Sequence, residues 1–166
     1  MFRPTALAAA LAPALLLATT AAAQCQFTGI AVQSYGTFCN TGPTGCCAIV
    51  SSPTTLSFGL DVTSCALAVE VNALEGCCGV AVLARVVAFG SSQAAVPVPQ
   101  FGPGCTLWVQ PVEFRDQGSA LAQIPLPPTL PPGIQFFAQA GALILNPFPA
   151  PNLVVTLSHG QAVTLQ

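Results

Sequence analysis

Gly104-Cys105-Thr106-Leu107-Trp108-Val109-Gln110, and later Ile134-Gln135-Phe136-Phe137-Ala138-Gln139-Ala140, decide how this chain is read. Both are rich in β-branched and aromatic residues, and both run up to a glutamine. Each reads as a buried strand. Between them lies Pro125–Gly133, with prolines at 125, 127, 128, 131 and 132. That spacing predicts a stiff crossover close to polyproline II.

The same two-residue period recurs elsewhere in the chain. Leu56, Phe58, Leu60 and Val62 alternate with Thr55, Ser57, Gly59 and Asp61. Cys65, Leu67, Val69 and Val71 alternate with Ala66, Ala68, Glu70 and Asn72. On a helix Phe58 would leave the Leu56–Leu60 stripe, so these are strands, joined as a hairpin at Thr63-Ser64. Gly79–Phe89 is apolar on both sides and reads as a strand covered on two faces, with Val82, Ala84 and Val86 sharing one side. Further strands are expected near Gln26–Tyr35, Cys46–Ser51 and Ala94–Val98. Cys105–Phe114 should break at Pro111, and Ser119–Ile124 should return as its hairpin partner. Ile134–Leu145 turns at 146–152 into Leu153–Ser158, and a last hairpin is expected around His159-Gly160. The total is nine to eleven strands with no amphipathic helix. This predicts an all-β chain, a two-sheet antiparallel β-sandwich stapled by disulfides.

Residues 1–23 have one early arginine, an alanine- and leucine-rich middle and a small-residue end, the layout of a signal peptide cleaved after Ala23. Pro13 and Thr19-Thr20 leave the apolar run too short to span a bilayer, so no transmembrane segment is expected after cleavage. The remaining 143 of the 166 residues suit one domain. It divides into a cysteine-rich 24–90, a proline-rich loop 90–104 and a strand-rich 105–166. Export predicts an extracellular, periplasmic or cell-surface location.

Eight cysteines then read as a disulfide framework: Cys25, Cys39, Cys46, Cys47, Cys65, Cys77, Cys78 and Cys105. Eight allow on the order of 100 pairings. Seven lie between residues 25 and 78, so a fully bridged chain must tie Cys105 back to the first half. Such a bridge is worth roughly 3–4 kcal/mol by chain entropy. The adjacent pairs 46-47 and 77-78 lack zinc-ligand spacing and the one histidine, His159, is remote, so no metal or other cofactor is expected.

Without Arg3 the chain carries two arginines and five acids, a side-chain charge of −3, and it has no lysine. A chain without a basic patch is not a nucleic-acid binder. It also lacks the charges that keep strand edges apart, which points to self-association.

Residues 100–166 resemble a family of secreted bacterial β-rich modules of unknown function. The likeness rests on Gly104–Val109, the proline-bounded 125–133, Phe136-x-x-Gln139-Ala140, and Leu157-Ser158-His159-Gly160, where His159 replaces the more usual asparagine. It implies export and a β fold, and no activity.

Chemistry is sparse. Ser158-His159 has no third group, and strand neighbours point to opposite faces. Asp61, Glu70 and Glu75, or Glu113 and Asp116, could pair as acids, but read better as solvating charges. Trp108, Tyr35, Phe114 and Phe137 could stack a sugar; alternatively Trp108, on the face opposite Cys105, Leu107 and Val109, fills the core. The sequence therefore predicts no enzyme and no catalytic residues. It predicts an exported structural or interaction protein, binding itself or surface glycans. A carbohydrate-binding module comes second and a secreted hydrolase third.

Overall fold

The structure, a computed structural model, describes residues 25–40, 54–73, 80–116, 118–147 and 152–166. The expected strand at Cys46–Ser51, the leader at 1–23, Glu75, and Cys46, Cys47, Cys77 and Cys78 lie outside the described residues.

The alternation read from Leu56 and Leu67 forms a hairpin as expected. Strand β3 (Thr55–Asp61) pairs antiparallel with β4 (Ala66–Asn72), Leu56 opposite Val71 and Leu60 opposite Leu67. The turn is closed by Asp61, whose carboxylate accepts from the backbone N–H of Thr63 and Ser64. Cys65 follows with φ of 49°, a left-handed value that few side chains adopt. It is held there by its disulfide to Cys25.

The described chain is all β, twelve antiparallel strands of which β2 (Cys39–Asn40) is a two-residue pairing. The large sheet is organised around the longest strand, β10 (Gln135–Asn146). Strand β5 (Ala81–Gly90) runs along one side of it, and β8 (Glu113–Asp116) extends that edge. On the other side lie β11 (Asn152–Leu157) and then β12 (Gly160–Leu165). Strand β1 (Ile30–Tyr35) pairs with β12, and β2 with β11. The small sheet is β3, β4 and β9 (Leu121–Pro125). A separate hairpin joins β6 (Gln93–Pro97) to β7 (Thr106–Val109), with the expected break at Pro111.

The small sheet covers one face of the large one. Leu56, Leu67, Val69 and Val71 meet Val87, Ala138, Ala140 and Leu165, with Phe27 filling the end. Each buried leucine or valine among them contributes about 1.5–3 kcal/mol. A second cluster, Val80, Ala142, Ile144 and Val154, continues the same interface. The β6–β7 hairpin lies over the opposite face.

Four expectations are corrected. First, β11 and β12 are not a hairpin. Both run antiparallel to β10, and their registers differ by one residue, so they are one strand interrupted by a bulge at Ser158-His159. Second, β9 pairs with β4, not with the strand before it; Gly118 lies in a crossover between sheets. Third, the proline segment is folded rather than extended. Leu130 N–H donates to Pro127 O, and Leu126 and Leu130 pack into the core. Fourth, Val82 does not share a side with Ala84 and Val86. A register shift opposite Leu143/Ile144 makes Leu83 an extra residue, so Val82 joins the inner cluster while Ala84 and Val86 face the hairpin.

Two disulfides lie among the described residues. Cys25–Cys65 ties the N-terminal segment to the β3–β4 turn, and Cys39–Cys105 ties β2 to the start of β7, each with Cα atoms 5.0 Å apart. Cys105 does reach back into the first half. Loops of 40 and 66 residues are worth about 4 kcal/mol each by chain entropy. Two such bridges fit an oxidising compartment. Among the described residues no helix is long and apolar enough to cross a membrane.

Candidate functional site

The bulge between β11 and β12 leaves the ladder short of partners, and side chains repair it. Ala140 N–H donates to Ser158 Oγ at 2.9 Å, and that hydroxyl donates to His159 O at 2.7 Å. Gln139, only 2% exposed, does the rest. Its Nε2 donates to the carbonyls of Ser158 (2.8 Å) and Thr106 (3.2 Å), and its Oε1 accepts from Trp108 N–H at 2.8 Å. One buried amide thus joins β10, the bulge and β7. Both its N–H bonds are engaged, as a buried amide requires.

This latch and Cys39–Cys105 hold the hairpin against the outer face of the large sheet. The hairpin does not cover that face fully. A cleft of about 560 Å³ remains. Its floor is Ala84, Val86 and Ala88 of β5, Gly141 and Leu143 of β10, and Val155 and Leu157 of β11. Val98, Phe101 and Leu107 form one wall, and Phe114 of β8 lines it as well. No charged side chain lines it; the polar ones are Gln100 and the already engaged Gln139.

Of the aromatic residues picked out in the sequence, Phe114 lines the cleft, whereas Trp108, Tyr35 and Phe137 lie elsewhere, near the end of β7. Trp108 is half-buried, neither core nor open platform. Its ring lies over Gly36, where an added Cβ would sit 2.4 Å from the indole, and Nε1 donates to Thr37 O at 2.7 Å. Gly36 adopts a φ of 69° there. Tyr35 donates to Trp108 O at 2.9 Å and packs edge-on against Phe137, centroids 6.1 Å apart. Burial pushes the Tyr35 hydroxyl above its ordinary pKa. These three rings pack on their own neighbours.

The titratable groups are dispersed. Asp61 accepts from Ser64 Oγ at 2.6 Å, and this bond, with those from the Ser64 and Thr63 backbone, holds its carboxyl below the ordinary range. Glu70 faces Ser57 rather than Asp61, which pairs with Ala66. Glu113 forms an exposed ion pair with Arg115 at 2.7 Å. His159 sits in the bulge before Gly160, its Nδ1 3.1 Å from Gly36 O and its ring edge-on to Phe38. Ser158 Oγ is committed to backbone and is buried. No cluster of three or more His, Cys, Asp or Glu suited to a metal ion occurs among the described residues.

Nothing in the amino-acid pattern signals the cleft. Its walls come from residues 84 to 157, and strand periodicity says nothing of which face a distant hairpin covers. The engagement of Gln139 had a faint signal, a glutamine within an otherwise apolar strand. Comparison of the chain with family models, with curated proteins and with solved structures finds no match.

Proposed function

We propose that the chain is an exported, non-catalytic binding protein of the cell surface or extracellular space, and that the cleft beneath the β6–β7 hairpin holds an uncharged aliphatic ligand. The observation that carries this reading is the cleft itself. Its volume suits a small molecule, and its lining offers no charge and almost no free hydrogen-bonding group. A charged or sugar-like ligand would lose its hydration there without compensation. An alkyl chain loses nothing polar and gains burial, about 0.8 kcal/mol per methylene.

Export draws support from the leader-like residues 1–23 and from the two disulfides. The carbohydrate reading has less behind it, since the Trp108 ring packs on Gly36 and Tyr35 packs edge-on against Phe137. The hydrolase reading has less again, because the described carboxylates stand apart and Ser158 bonds backbone.

Titration with 1-decanol, followed by methyl NMR at Ala88 and Leu143, tests the reading. Saturable shifts are expected, weakened about tenfold or more by Leu143→Gln, which puts an amide on the floor. No saturable shift up to the solubility limit, or shifts unchanged in the variant, would overturn it.

A further inference from the structure

A sheet edge exposes a row of unpaired N–H and C=O groups, and proteins that must stay apart blunt every edge. Most edges here are blunted. Strand β8 carries Glu113, Arg115 and Asp116 in four residues. Strand β9 ends on Pro125, and β6 has an irregular register and ends on Pro97. Strand β2 is two residues long and bridged through Cys39. Strand β3 ends on Asp61 and has Glu70 beside its Ser57, so two copies would bring like acids together.

Strand β1 has none of these devices. Its six residues, Ile30–Tyr35, contain no charge and no proline, and its pairing with β12 runs in unbroken register. Among the described residues it is the end strand of the large sheet, and its middle residues, Ala31 to Ser34, are exposed.

We propose that this edge pairs with a second copy of the chain, β1 against β1 antiparallel, so that the large sheet runs on from one copy into the next. A two-fold axis normal to the sheet, centred at Val32 or Gln33, matches inner-face residues with inner-face residues and outer with outer. No like charges meet in that arrangement, and a chain with so little charge repels itself weakly. An acidic or basic peptide would find no opposite charge on β1, whereas the strand's own uncharged pattern fits itself. The pairing uses a surface remote in sequence from the cleft and stands whether or not the cleft binds a ligand.

Sedimentation velocity on the full mature chain, up to roughly 1 mM, tests this. A concentration-dependent dimer is expected. Gln33→Lys places two ammonium groups near the axis and should weaken the dimer at least tenfold. Val112→Lys, at a residue 77% exposed next to β8, should leave it unchanged. A monomer throughout, a dimer indifferent to Gln33→Lys, or one lost in Val112→Lys would overturn the proposal. Amide exchange of the unaltered protein gives a check that needs no variant. Ala31–Ser34 should slow as concentration rises, and concentration-independent exchange there would equally overturn it.

Discussion

Gln139 is a polar residue in the middle of the apolar strand β10, and its cost and its use are both visible. A buried amide without partners is destabilising by about 1–3 kcal/mol per unmade bond. Here it makes three, and they hold three segments together. Gln139→Leu removes them and leaves buried Trp108 N–H and Ser158 O to find other partners. A loss of about 3 kcal/mol or more in urea unfolding is expected. Ser158→Ala deprives Ala140 N–H of its acceptor and should cost about 1–3 kcal/mol. His159→Ala should cost less, about 0.5–1.5 kcal/mol, since its half-buried ring makes one hydrogen bond, to Gly36 O. Asp61 supplies a pH test. Its folded pKa is lowered, so its hydrogen bonds add stability above the unfolded carboxylate value of about 4, and that contribution fades as pH falls through the folded pKa. The stability difference between the native chain and Asp61→Ala, followed by urea unfolding against pH, should therefore narrow in acid.

Among the elements, the β3–β4 hairpin was legible because what sets its register is local. The period-two run of Leu56–Leu60 sets the buried face, and Asp61 closes the turn. The final pair of strands departs from the expected hairpin for the opposite reason. His159-Gly160 looks like a turn locally, yet the chain goes straight on, because Ser158 and Gln139 mend the ladder from positions 19 residues apart. The partner of β9 and the side taken by Val82 are decided the same way, by a sheet crossover and by one extra residue at Leu83. Glycines mark where elements approach closely. At Gly160 an added Cβ would lie 2.5 Å from the Tyr35 ring and 2.9 Å from Trp108 Cβ. Gly160→Ala should cost about 1–3 kcal/mol through overpacking, read by thermal or urea unfolding, and should disturb the Trp108 fluorescence.

At the scale of the whole molecule, two cross-links and a side-chain latch hold a hairpin on one face of a large sheet while a smaller sheet closes the other. The cleft exists because the hairpin is held there and does not fill the space below it. Removing the tether by Cys39→Ala with Cys105→Ala should destabilise by about 4 kcal/mol and weaken decanol binding, while the far-ultraviolet spectrum stays that of a β protein. Lysine is absent and arginine scarce, so peptide mapping of the native protein needs pepsin rather than trypsin. Non-reducing peptic mapping by mass spectrometry is the most direct measurement of all. Peptides joining Cys39 to Cys105 and Cys25 to Cys65 are expected; free thiols at these positions, or Cys105 joined elsewhere, would overturn the tethered-hairpin fold.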